Sequence, residues 1–391
     1  MFNIVRLLRF IFPLVLVFFL VGCNNQENKN SFDINGKLSN SNNEWIIVYK
    51  LSPKNIIKLD SAQLDDAGKF DIHIQTEDSP ELLLLKVKDY PERVTLLAEN
   101  KTIITISGDA LHLNKTYSAT GNKGTIALRT LTKNLNGFMT AADSIYFSYR
   151  RLVNDSNGIY MKAETDSLLN DNYTKAYNYV RNFCLENKNS LVGIVALYSR
   201  YGESQILDYD IDFNVFEKVS KAVSASYPDN DHALNLKDFV DEKYRLIAHG
   251  EEVEKSLEAG NKAPDIIRPN PEGKQIELSS FQGQYLVLAF WSAAKKSSWE
   301  MNAGLKKIVK EYKNKKVDIL SVSMDKDKLQ WVNTIALDHL KWNHVLSSES
   351  VENAYNLKGE SRLFLIDTEG VILAKDITTD SLKVLLNQLI K

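Results

Sequence analysis

The sequence predicts an α+β multidomain chain, with an N-terminal antiparallel β sandwich or barrel, a central α-helical region and a C-terminal α/β domain. Three observations carry this. From Phe32 to about Ser118, apolar and polar residues alternate with a period of two, as half-buried strands require. From Thr125 to Leu257 the period changes to 3.6, that of amphipathic helices. Beyond Gly260, short apolar runs such as Leu288-Ala-Phe-Trp291 alternate with helical stripes, the pattern of buried strands packed under helices. A length of 391 residues with 44% hydrophobic and 25% charged composition suits two or three cores. A formal net charge of -2 gives no chain-wide basic excess, so nucleic acid is not an expected partner.

The first element is a leader. Arg6 and Arg9 precede Phe10 to Val21, a run that is apolar apart from Pro13. It is shorter than the ~20 residues of a membrane span, as secretory leaders are. It closes on Leu20-Val21-Gly22-Cys23, which resembles a bacterial lipobox. The resemblance implies that residues 1–22 are a lipoprotein signal peptide, with cleavage before Cys23 and a diacylglycerol on its thiol. The membrane is then a partner through that lipid anchor. Residues 23–31 read as a polar, nearly uncharged tether. No aspartate follows Cys23, which for such lipoproteins implies the outer membrane, facing the periplasm.

Within residues 32–121, strands are expected at Phe32–Leu38, Trp45–Tyr49, Lys69–Ile74, Glu81–Val87, Thr95–Ala98 and Thr102–Ile106. Asp65–Gly68, Glu99–Lys101 and Gly108–Asp109 are their turns. Gly36, the Asp66–Phe70 turn and the closing Ser118-Ala-Thr-Gly121 resemble the small β-domain of unknown function that precedes thioredoxin domains in Bacteroidetes-type lipoproteins.

Residues 122–259 form the helical region. Helices are expected near 125–154, 160–187, 190–200, 213–226 and 234–257, broken at Asn157-Gly158, Gly202 and Pro228-Asp229. Cys184 shares a stripe with Leu169, Tyr173, Ala176, Tyr177 and Val180, so it is expected to be a buried small hydrophobe. The chain has only two cysteines, and lipidation of Cys23 would leave Cys184 without a partner thiol. Tyrosines crowd this region, which fits either a partner-binding surface or helix packing, and their helical spacing favours packing. Gly260 is the expected helix stop.

The last domain, 260–391, centres on Leu288-Ala-Phe-Trp-Ser-Ala-Ala-Lys-Lys-Ser-Ser-Trp-Glu-Met301. This resembles the Phe-Trp-Ala-x-Trp-Cys-x-x-Cys-x-x-Glu-Met stretch of thioredoxin-like proteins, one residue short. Gly260–Asp265, Leu278–Gly283 and Tyr355–Asp367 resemble further motifs of the AhpC/TSA and TlpA-like thioredoxins, in the same order. Counted from Phe290, the cysteine positions hold Lys295 and Ser298 and the preceding Trp is Ala294. Counted back from Glu300, they hold Ala294 and Ser297. Ser361 stands at the family's cis-proline and Ala289 at its buried acid.

The family resemblance implies a thiol–disulfide oxidoreductase or peroxidase, chemistry that needs a thiolate in this turn. With none there, the leading expectation is a redox-inactive domain in a binding or scaffold role toward an unknown protein or peptide partner. The oxidoreductase or peroxidase is the alternative.

Ser297 to Glu300 has the form of a capping box opening a helix whose stripe is Leu305, Ile308, Val309 and Tyr312. Capped amides with Lys295, Lys296 and Ser297 could hold an anion; a solvated remnant is the other reading, and no acid partner is evident for either lysine. The six histidines show no ligand spacing, so no metal is expected, and the absence of phosphate-loop and nucleophile-elbow motifs leaves no expected cofactor.

Overall fold

The computed structural model describes residues 30–76, 80–152 and 158–390. The leader, Cys23 and most of the tether lie outside the described residues. Two compact units follow along the chain, the first reaching Val240 and the second starting at Asp241.

In the first unit the strands are β1 (Asn30–Ser39), β2 (Trp45–Leu51), β3 (Ile56–Gln63), β4 (Lys69–Thr76), β5 (Glu81–Val87), β6 (Arg93–Ala98), β7 (Ile103–Asp109) and β8 (Ser118–Thr120). They make two four-stranded sheets, ordered β4-β1-β7-β8 and β3-β2-β5-β6. Phe32, Ile34, Val48, Ile72, Leu83, Leu85 and Ile106 fill the space between them. The expectation of a wholly antiparallel sandwich is corrected in one place: β1 and β7 pair in parallel, from Asp33↔Ile103 to Ser39↔Asp109. The chain crosses to the other sheet for β5 and β6 before β7 returns, a connection long enough for parallel pairing. In the expected turn after β3, Asp65 Oδ1 accepts from Ala67 N and Lys69 N, and Gly68 adopts φ +73° where a Cβ would strike the Leu38 carbonyl.

The leucine run of β5 reflects burial on both faces. Leu83 and Leu85 face the sandwich, while Leu82 joins Leu97 in the core of the helical region. The helices are α1 (Leu113–Thr116), α2 (Lys123–Leu152), α3 (Gly158–Glu186), α4 (Leu191–Leu197), α5 (Phe213–Ser226) and α6 (Asp231–Ser256), with the short hairpin β9 (Arg200–Tyr201) and β10 (Ser204–Gln205) turning at Gly202. Cys184 is fully buried among them, and burial pushes its thiol up to about 12. Tyrosines serve packing at several points: Tyr177 Oη donates to Asp212 Oδ1 at 2.5 Å, Asn134 Nδ2 donates to Tyr179 Oη at 3.1 Å, and Asn172 Nδ2 donates to Tyr201 Oη at 2.7 Å. Helix α6 starts ahead of the expected Leu234, because Asn230 Oδ1 accepts from His232 N. It also ends before Gly260, whose N–H donates instead to the Ile372 carbonyl.

The second unit adds the hairpin β11 (Ile267–Pro269) and β12 (Gln275–Glu277), then a five-stranded sheet of β13 (Tyr285–Trp291), β14 (Val317–Ser323), β15 (Asn343–Leu346), β16 (Arg362–Ile366) and β17 (Ile372–Ala374). Its order is β15-β14-β13-β16-β17; β13 to β15 are parallel, and β16 and β17 antiparallel. Helices α7 (Lys296–Glu311), α8 (Lys328–Leu337), α9 (Glu349–Ala354) and α10 (Thr379–Leu389) complete it. Strand β13 is apolar throughout because both its faces are covered. Leu286, Leu288 and Phe290 pack with Leu257, Tyr355 and Phe364, while Val287 and Ala289 pack with Leu305, Ile308 and Leu382. Trp291, at the strand's end, packs with Ala293, Trp331 and Leu340.

Candidate functional site

Strand β13 ends at Trp291, and the chain turns through Ser292–Lys295 into α7. The turn is fastened by a carboxylate. In register Trp291 lies opposite Ser323, which brings Asp325 just beyond β14 within reach of the turn. Ser292 Oγ donates to Asp325 Oδ1 at 2.7 Å and Ala293 N donates to Oδ2 at 3.0 Å; Ser323 Oγ donates to Oδ2 at 2.7 Å. Three donors on one carboxylate fix this turn more firmly than backbone bonds alone would.

The structure brings Lys295, Ser297, Ser298 and Ser361 together. Ser298 is fully buried; its Oγ accepts from Ser292 N at 2.9 Å and lies 2.8 Å from Ser361 Oγ. Ser297 Oγ is 3.1 Å from the same Ser361 oxygen. Lys295 Nζ reaches across to Glu360 Oε1 at 2.7 Å. Ala294, the other candidate for a cysteine position, is exposed.

Two expectations are corrected here. The capping box does not form: the N-cap residue is Lys295, with no side-chain cap bond, so Ser297 falls inside the first turn and its hydroxyl goes to Ser361. Neither lysine lacks an acid: Lys295 pairs with Glu360, and Lys296 lies 3.7 Å from Glu300 on the same helix. Lys295 and Ser297 are therefore already engaged within the chain, whereas Lys296 stands exposed beside Glu300, beyond hydrogen-bond distance.

Sequence reasoning missed three contributors. Trp299 Nε1 donates to the Ala293 carbonyl at 2.8 Å, folding the indole of α7 back over the turn, yet the residue stays 54% exposed. Asp325 lies on a later strand end, and no spacing links it to the turn. Arg362, next to Ser361, is a buried hub: it donates to both oxygens of Asp376 at 2.7 Å, to Glu254 at 2.8 and 3.1 Å, and to the Tyr355 carbonyl at 2.7 Å. Lys375 adds a bond to Glu254 at 3.2 Å. Burial alone would raise the Glu254 carboxyl, but hydrogen bonds from Arg362, Asn356 and Lys375 hold it down to about 2.

Behind the turn, His344 is buried between two indoles, its ring centroid 6.2 Å from that of Trp291 and 5.3 Å from that of Trp342. Its ring nitrogens make no hydrogen bond of ordinary geometry. Burial pushes it down to about 4, with the Leu340 carbonyl pulling slightly the other way.

Chemically, the site offers hydroxyls bonded to one another and an ammonium bonded to a carboxylate. No histidine or carboxylate activates these hydroxyls among the described residues, so a serine nucleophile has no base. No group of three or more His, Cys, Asp or Glu side chains suits a metal among the described residues.

Residues 259–375 match the AhpC/TSA family, and residues 32–125 match the Domain of unknown function (DUF4369). Thiol-disulfide oxidoreductase ResA of Bacillus subtilis is 26% identical over 131 residues, 33% of this chain and 72% of that protein. Among solved structures, the thioredoxin domain of a thiol-disulfide oxidoreductase from Bacteroides vulgatus is 29% identical, covering 35% of this chain and 100% of its own, with a TM-score of 0.34. A thiol-disulfide oxidoreductase from Bacteroides fragilis is 34% identical over 33% of this chain and 99% of its own, with a TM-score of 0.31.

Proposed function

For a chain whose C-terminal part is an AhpC/TSA thioredoxin-like domain of the thiol-disulfide oxidoreductase family, and whose first strands form a domain of unknown function, we propose a redox-inactive role in binding or scaffolding. The observation that carries this is that Ser297 and Ser298 stand where the relatives' chemistry needs thiols, both bonded to Ser361 at the position of the family's cis-proline. Disulfide exchange proceeds by thiolate attack on sulfur, which a serine hydroxyl does not perform. The one cysteine among the described residues, Cys184, is buried with its thiol raised to about 12, so almost no thiolate forms at neutral pH. The oxidoreductase alternative has family likeness behind it but no nucleophile in the turn. Insulin-reduction and peroxide-consumption assays test the reading. Turnover above the uncatalysed rate that vanishes on Cys184→Ser would refute it.

The cell-envelope part of the proposal rests on Leu20-Val21-Gly22-Cys23 and the polar residues behind it. In this reading Cys23 carries lipid and holds the protein at the outer membrane, facing the periplasm. Metabolic labelling with radioactive palmitate should then mark the wild-type chain and not Cys23→Ser. Equal labelling of both would remove the anchor from the proposal.

A further inference from the structure

We infer that the exposed side of α7 docks onto an anionic, phosphate-bearing lipid surface. The chain carries a net charge of only -2, yet residues 295–316 hold eight lysines against two glutamates. Both glutamates already face lysines: Glu300 lies by Lys296, and Glu311 pairs with Lys383 at 2.7 Å. Lys306, Lys307, Lys310, Lys313, Lys315 and Lys316 are all exposed, and none has an acidic partner among the described residues. So strong a local charge on a nearly neutral chain is a partner signal rather than a solubility device.

The arrangement suits a plane better than a point. Helical spacing aligns Trp299, Ala303, Lys306 and Lys310 along one side of α7, every one exposed, and the exposed Lys313 follows in the turn after the helix. At 1.5 Å per residue the helical stripe from Trp299 to Lys310 runs roughly 16 Å, too long for its groups to converge on a single phosphate. At one end stands the Trp299 indole, 54% exposed with its N–H already satisfied by Ala293, the amphipathic group favoured at a membrane interface. Along the flank lies a cleft of ≈ 420 Å³ of mixed lining, where Val309, Tyr312 and Trp342 stand with Asp318, Asn343, Lys313 and Lys341. An exposed indole beside lysines matches a surface that presents phosphates over acyl chains, and long lysine stems can lie on apolar material while their amines reach phosphate. An acidic protein would use the charge and leave the indole without a role; single-stranded nucleic acid would stack on it, so capture by DNA is an outcome that the experiment separates.

The inference does not depend on the proposed anchor at Cys23, and the experiment removes that anchor. The chain from residue 23 on, carrying Cys23→Ser, is sedimented with vesicles of phosphatidylcholine alone or mixed with about one-third phosphatidylglycerol, at about 0.1 M salt. Binding is expected to the mixed vesicles only, to fall steeply with salt, and to survive competition by inorganic phosphate at millimolar concentration. Each lysine at an anionic surface contributes about 5-fold, so Lys306→Gln/Lys310→Gln/Lys313→Gln should weaken binding about 100-fold with an unchanged melting temperature. A blue shift of tryptophan emission on binding should disappear in Trp299→Phe. Equal binding to neutral vesicles, unchanged binding by the triple variant, displacement by inorganic phosphate, or tighter capture by DNA or poly-glutamate would each overturn the inference.

Discussion

Ser298 Oγ lies 2.8 Å from Ser361 Oγ, joining the first turn of α7 to the loop that leads into β16. Ser298 also accepts from Ser292 N, so one buried hydroxyl ties three segments together. Ser298→Ala deletes both bonds and leaves the Ser292 amide without this acceptor. The expected loss is about 1–2 kcal/mol of stability, read as a lower urea midpoint at constant slope. A variant as stable as wild type would mean the hydroxyl trio fills space without fastening the turn.

Arg362 should matter more. It holds Glu254 from the end of α6 and Asp376 from beyond β17 in a planar, paired geometry. Because both carboxylates are partly exposed, Arg362→Ala should cost about 2 kcal/mol rather than the larger loss of a fully buried pair. Lysine cannot reproduce the fork, so Arg362→Lys should recover less than half of that loss.

Acid should weaken the second unit in two steps of distinct origin. The folded-state value of Glu254 lies below the unfolded one, so its contribution is complete above about 4.5 and is lost as pH falls toward about 2. His344 is also depressed, but it is a base: between about 6.5 and 4 the unfolded chain binds the proton that the folded chain refuses. Its contribution is therefore complete above about 6.5 and declines as pH falls to about 4. Urea midpoints at intervals between these values should show both windows. His344→Phe should flatten the upper window alone, and Glu254→Gln the lower window alone.

Cys184 should remain unmodified by Ellman's reagent in the native protein at pH 8 and react at once in denaturant. Full burial and a thiol pushed up to about 12 both predict this. Rapid native labelling would show that the helical core opens at this point and exposes a thiol for redox chemistry.

The sequence made burial legible and left long-range pairing hidden. Strands β1, β4 and β7 alternate because one face is in the core, whereas β3 escaped notice: it is an edge strand whose Ile56 and Ile57 are 58% and 47% exposed, so no alternation is imposed on it. The emptied turn was readable because Phe290-Trp291 and Glu300-Met301 frame it within one short stretch. Lys295 meets Glu360 across 65 positions and Arg362 meets Glu254 across 108, separations that leave no local periodic trace. The capping box misled for a related reason. Its residue types were right, but a tertiary partner, Ser361, took the hydroxyl that the helix end would otherwise have used.

The two-sided burial of β5 sets an order of events during synthesis. Leu82 and its cross-strand partner Leu97 belong to a core completed by residues as late as Val240. A ribosome that has released only the strands has made a sheet with one side still wet, and the strand region cut out alone would keep that side sticky. The β-region is thus a dependent half rather than a free-standing module. Its maturation waits on about 120 further residues, from Gly121 to Val240, and during that interval it is a natural client for a chaperone.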